Sequence, residues 1–236
     1  GLVAPASMYH DVNVTHPRAR TTPLDYLIMG QWRLLVPFNL MAALGYRYVL
    51  QIDDDMFVTQ PFETNIVAHM AAHSYVFANH APFHEHDWVV RGLPEYARFF
   101  LMDKHIELGP DAAVWQHVAP PSLDGLYTLL RDSELKEGEP SGYDRTCLFG
   151  NFLVMDVTLW MQPVVQDWVA GCLLSGGMTR DRWQEQGVMS WVWLLFTNAT
   201  QLWLLGKEEG LEWEHSHAPD IGKRPWWHSE TRARRP

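Results

Sequence analysis

The sequence predicts an α/β fold, a sheet whose strands are joined by helical crossovers. Three observations carry this expectation. Residues 46–52 form a run of β-branched and aromatic side chains that reads as a strand. Helical spacing precedes it, through Leu24, Leu27, Ile28, Trp32 and Leu35, and a second helical stretch and short strand follow at 62–72 and 74–78. Helix and strand in alternation are the mark of crossover connections.

Taken in order, residues 1–21 are polar and aperiodic. Thr22-Pro23 opens the first helix, with Thr as cap and Pro in the first turn. Pro37 is expected to kink or break it, and the remaining piece, 38–44, stops at Gly45. The strand over 46–52 is expected to run into the core. Residues 79–94 read as a loop carrying His80, His84 and His86, either a zinc-binding trio or ordinary polar residues. Residues 95–104 and 122–131 read as helices, and 132–146 as a mobile surface loop. Residues 148–156 form a second buried strand, and the Gly150-Asn151 pair inside it marks close approach of a ligand or another backbone. Helices over 163–174, ended by Gly176-Gly177, and 181–196 lead to a last strand at 201–205.

Composition bounds the function. With 47% hydrophobic and 19% charged residues the chain is globular, and its 236 residues suffice for a substantial core. A net charge of −10 argues against nucleic acid as a partner. Twelve Trp is a heavy load, suited to a core and also to stacking on sugar rings. Cys147 and Cys172 are too few for a disulfide scaffold or a cysteine zinc site. Asn13-Val14-Thr15 and Asn198-Ala199-Thr200 are glycosylation sequons that matter only in the secretory pathway. No apolar run reaches membrane-spanning length and no signal peptide is visible, so the expectation is a fragment whose anchor lies outside it.

The chemistry centres on Asp53-Asp54-Asp55, at the end of the 46–52 strand. Carboxylates are costly to bury unpaired, so packing does not explain them. Asp53 and Asp55 lie two apart, on one side of an extended chain, where they can grip a hard cation such as Mn²⁺ or Mg²⁺. A solvated acidic turn is the alternative. An EF-hand is excluded, because its required Gly and Glu positions hold Val58 and Thr64. Far away, a tail with His215, His217, Gly222, Lys223, Arg224 and Trp226 offers an imidazole for the same ion and cations for phosphate oxygens. Together these make a site for a divalent cation and a diphosphate, the leaving group of a nucleotide sugar. A P-loop NTPase is excluded by the missing Gly-rich Lys-Ser/Thr loop.

These residues also carry a resemblance. The acidic triplet looks like the Asp-x-Asp motif of GT-A glycosyltransferases. Residues 46–57 with their preceding helix, the stretch 143–152, and 176–183 with Gly176-Gly177 and Arg182-Trp183 resemble the fungal-type Golgi α-1,2-mannosyltransferases of glycosyltransferase family 15. The resemblance implies a single GT-A-like catalytic domain over 1–236, a mixed, mostly parallel sheet flanked by helices. It implies Mn²⁺, a GDP-mannose donor, a glycan or glycoprotein acceptor, retention of configuration, and a Golgi lumenal location with any membrane anchor outside this chain. Asp53 and Asp55 stand at the family's metal ligands, and the tail from His217 to Trp226 resembles the His-Gly-Lys-Pro-Trp ending of other retaining GT-A enzymes, where the His binds metal and the Lys meets diphosphate. Asp54, Arg182, Gly222 and Lys223 fall where the donor binds. Glu185 stands near the acid that follows the family's Arg-Trp pair, with Asp181 a second acid candidate. Two departures stand out. Leu153 replaces the Glu proposed as nucleophile or cation stabiliser. Only 52 residues precede the acidic motif, where the family has room for nucleotide-binding strands. Leu153 gives weight to an inactive sugar- or nucleotide-binding relative as the alternative, with a metal-dependent phosphoesterase as a third reading.

Overall fold

The computed structural model describes residues 23–80, 82–118, 143–205 and 213–215. Its first element is a long helix, α1 (Leu24–Ala43), which ends at Leu44 with Gly45 in the left-handed region at φ 78°. The strand β1 (Tyr48–Ile52) follows. A tight turn leads to β2 (Met56–Val58), then α2 (Ile66–His73), β3 (Phe77–Asn79), β4 (Pro82–His84), α3 (Asp87–Val90) and α4 (Leu93–Asp103). After residue 143 come β5 (Thr146–Leu148), β6 (Phe152–Asp156), α5 (Val157–Trp160), α6 (Pro163–Leu174), α7 (Gly177–Arg180), α8 (Glu185–Phe196), β7 (Leu202–Leu204) and β8 (Trp213–His215).

The main sheet has the order β1-β6-β3-β7. β6 runs antiparallel to both β1 and β3, while β3 and β7 are parallel, so three strands point one way around a reversed β6. Every residue of β6 is buried, with Leu153 and Met155 in the larger core and Phe152 and Val154 in a smaller one. The larger core is packed by α1, α6 and α8; Phe38 of α1 stacks on Trp160 at 3.9 Å between ring centres. Trp160, Trp168, Trp183, Trp191, Trp193 and Trp203 are buried, so six of the ten tryptophans among the described residues belong to the core.

Several expectations are corrected. Pro37 neither breaks nor ends the first helix, which runs through it. The missing Pro37 N–H leaves the Arg33 carbonyl without its intrahelical donor, and the Gln51 side chain of β1 donates to that oxygen at 3.0 Å. The 46–52 strand is the outer strand of the sheet among the described residues, so it alternates: Val49 is buried while Leu50 and Ile52 are exposed. The strand expected over 148–156 is two strands, β5 and β6. The chain turns at Gly150-Asn151 to leave β4 as partner and join β1 and β3, and Asn79 pins the bend by donating to the Phe149 and Phe152 carbonyls at 2.8 and 2.7 Å. The helix expected over 181–196 starts at Glu185, because Arg182 has φ 61°, a left-handed conformation that helical residues do not adopt. The loop expected over 79–94 contains β4 and α3. The expected helix at 122–131 and most of the 132–146 loop lie outside the described residues, as does Thr22.

Candidate active site

β1 ends at the acidic triplet, and Met56 N–H donating to the Asp53 carbonyl at 3.1 Å closes it into a turn. The three acids therefore lie on a turn rather than along an extended chain. Asp54 is exposed and Asp53 and Asp55 are half-buried. The Asp53 N–H donates to the Asn151 carbonyl at 3.0 Å, which ties the acidic turn to the Gly150-Asn151 bend at the same sheet edge.

Arg33 is the residue that gathers the site. It projects from α1 with only 11% of its side chain exposed. One terminal nitrogen lies 2.8 Å from Asp53 Oδ1 and donates to the Gly150 carbonyl, also at 2.8 Å; the other lies 3.4 Å from Glu185 Oε1. The first residue of α8 thus meets the acidic turn through one guanidinium. Gly30, one turn before Arg33, leaves room for this. A Cβ there would lie 3.0 Å from Glu185 Oε2.

Glu185 is 5% exposed. Burial raises its carboxyl above the ordinary carboxylate value, against the pull of Arg33 and with reinforcement from Asp53. A carboxyl with a raised folded pKa keeps its proton in the fold where the unfolded chain has lost it. Its contribution to stability is full below the unfolded value and disappears as pH rises through the folded value. Glu185→Gln keeps the shape without the titration. Its melting temperature is expected to exceed the wild type's by more at neutral and alkaline pH than below 4.5, the carboxyl's ordinary value. A constant difference across that range in a thermal-melt series would show that folding does not shift the Glu185 carboxyl.

Against solved structures, the chain is similar to the mannosyltransferase Ktr4p from S. cerevisiae, at 13% identity and TM-score 0.67 over 84% of this chain and 48% of that one. The same protein in complex with GDP matches at 14% identity and TM-score 0.64, over 81% and 45%. Core-mannan synthase A (CmsA/Ktr4) from Aspergillus fumigatus, in its Mn/GDP form, matches at 14% identity and TM-score 0.64, over 90% and 57%. The chain shares the fold of these structures. It spans about half the length of these structures. No family model and no curated protein matches the sequence. The resemblance read from the acidic triplet and its companion segments is thus borne out at the level of fold.

Within this fold, Leu153 sits fully buried in β6, beside Gln51 of β1 and Asn79 of β3. No acid occupies that position. Arg182 lies with its guanidinium over Trp88 at 5.0 Å and Tyr26 at 5.7 Å, and its Nε is buried with no hydrogen-bond partner among the described residues. Burial raises the Tyr26 hydroxyl pKa, with Glu185 adding to the rise. Asp181 pairs with its neighbour Arg180 at 3.0 Å. His80, His84 and His86 do not converge. His84 Nδ1 meets the Asp144 carbonyl at 2.8 Å, His80 packs between Phe149 and Trp213, and His86 stacks near Trp88. Among the described residues no group of three metal-ligating side chains forms.

The tail meets the acidic turn through β8, which pairs antiparallel with β2 and sets His215 opposite Met56. His217, Gly222, Lys223, Arg224 and Trp226 lie outside the described residues. Arg33 and Tyr26 are functional candidates that the sequence reading does not include. With Gly30 they share one face of α1, at the spacing of a helical stripe, and that stripe is the available signal. Their partner Glu185 is 152 residues from Arg33, out of reach of local pattern.

Proposed function

We propose that the chain is a retaining, metal-dependent hexosyltransferase that moves mannose from GDP-mannose onto a glycan or glycoprotein acceptor in α-1,2 linkage. Its 1–236 span acts as one GT-A-like catalytic domain in the Golgi lumen. Among the described residues, no helix is long and apolar enough to cross a membrane. The observation that carries the reading is the Arg33–Asp53–Glu185 cluster at the carboxyl end of β1, where open α/β sheets bind ligands. Further support comes from the fold shared with a GDP complex and a Mn/GDP form.

Asp53 and Asp55 offer hard oxygen donors, the chemistry that Mn²⁺ or Mg²⁺ requires. Two carboxylates do not fill its shell, so His217, diphosphate oxygens and water would complete it. When bound, the cation supplies charge neutralisation at a departing diphosphate. Asp54, Gly222, Lys223 and Arg182 would meet the nucleotide sugar. The Arg182 guanidinium lies over the Trp88 and Tyr26 rings, and its Nε has no hydrogen-bond partner among the described residues, which leaves a donor for an anion. Glu185 would act on the acceptor hydroxyl or the sugar. Its raised pKa makes it a stronger base than an exposed carboxylate. Asp181, paired with Arg180, is the second candidate.

Asp55→Ala with Mn²⁺ present is expected to lower donor turnover by at least about a hundredfold, the scale of losing a metal's electrostatic contribution. Unchanged release of mannose from GDP-mannose would remove Asp55 from the mechanism. Leu153 favours a second reading, a binding relative without turnover. Wild-type protein that binds GDP in calorimetry yet never releases mannose would establish it.

A further inference from the structure

We propose that Gln51 is a positioning residue. Its side-chain N–H replaces the backbone donor that Pro37 lacks, and so fixes the turn of α1 from which Arg33 reaches Asp53, Glu185 and the Gly150 carbonyl.

The geometry is specific. In an α-helix the N–H of residue 37 would close onto the carbonyl of residue 33. Proline has no such N–H and normally kinks the helix there. Instead α1 continues, and the Arg33 carbonyl receives Gln51 Nε2 at 3.0 Å. Gln51 is 7% exposed, and its Oε1 is buried with no partner among the described residues. A buried amide with one unmet acceptor is unfavourable beside an apolar residue of the same size, so its donor must be what the position requires. The bond also falls at the site. The accepting carbonyl belongs to Arg33 itself, and the donor stands two residues before Asp53, the acid that the same arginine grips. Main chain and side chain of one residue are thereby fastened to the same strand end. A helix with an ordinary residue at 37 would satisfy this carbonyl from within, and the Gln51 bond would add to an intrahelical bond instead of replacing one.

The experiment is a cycle of four proteins: wild type, Gln51→Met, Pro37→Ala and the double variant. Methionine keeps the volume of glutamine without the donor, which favours folding. Alanine in place of the proline restores the intrahelical N–H. Thermal unfolding without ligand is the first readout. Gln51→Met is expected to lower the midpoint by several degrees in the wild-type background and by less than half as much in the Pro37→Ala background. Equal losses in the two backgrounds overturn the proposal. GDP affinity with Mn²⁺, measured by calorimetry, is the second readout and rests on the function proposed above. Gln51→Met is expected to weaken GDP roughly tenfold, with most of the loss recovered in the double variant. A coupled melting cycle with wild-type GDP affinity in Gln51→Met overturns the positioning role. Wild-type protein that binds no GDP refutes the nucleotide-sugar reading instead, and the melting cycle alone then decides whether Gln51 stands in for the proline's missing donor.

Discussion

Arg33→Met is expected to cost about 3 kcal/mol of folding stability, the scale of removing one partner from a buried ion pair. Most of this comes from Glu185, because its side chain is only 6% exposed and its carboxylate would be left without the guanidinium 3.4 Å away. Asp53 contributes less. Its side chain is 29% exposed, so water takes over part of what Arg33 supplied. The Gly150 carbonyl loses its 2.8 Å donor as well. Urea unfolding at neutral pH measures the loss, and the double variant Arg33→Met/Glu185→Gln is the control. Removing the stranded charge should return a large part of the stability. A loss confined to a few tenths of a kcal/mol, with no recovery in the double variant, would show that solvent screens the whole cluster. If the function proposed above is right, the same substitution abolishes transfer, since it loosens the acidic turn and the buried acid together.

Gly177→Ala is the second large effect. A Cβ at Gly177 would lie 2.3–2.5 Å from three ring atoms of Trp183, inside van der Waals contact. Trp183 cannot simply swing away, because it is 4% exposed and its indole N–H donates to the Arg91 carbonyl at 2.6 Å. Overpacking of this kind costs about 1–3 kcal/mol, and the rigid ring puts Gly177 at the upper end. The displacement also passes to the adjacent Arg182, whose guanidinium lies over the Trp88 and Tyr26 rings. Gly109→Ala is the control, as nothing lies within 4 Å of a Cβ there. Melting midpoints of the two variants should differ by several degrees; similar values would mean that the α7–Trp183 contact yields easily.

The Gly177 contact explains physically why Gly176-Gly177 and Arg182-Trp183 read as one motif. The spacing lets the tryptophan ring lie on the glycine backbone, and the left-handed Arg182 then sets the start of α8. Such short-range features are legible in sequence. Gly45 ends α1, the 163–174 helix has the expected bounds, and the acids fall at a strand end. Gly150 stands at the bend between β5 and β6, where a Cβ would lie 3.4 Å from the Gln186 side chain, an ordinary contact and not the approach of a ligand or backbone that its place in an apolar run suggests. What stays hidden depends on partners far along the chain. Pro37 looks like a break because its remedy, Gln51, belongs to another element. Arg33 looks like one more helical cation because Asp53, Gly150 and Glu185 converge on it only in three dimensions. The division of 148–156 into two strands follows from a change of sheet partner, which no window of local sequence contains.

The pairing of β2 with β8 has a consequence for how the molecule is made. During synthesis the strands β1, β6, β3 and β7 all emerge before residues 213–215, so the main sheet can assemble while the acidic turn still lacks the ribbon beside it. Closing so distant a contact is entropically slow. Among the described residues, the ribbon beside the acidic turn is therefore the last strand pairing that synthesis makes possible.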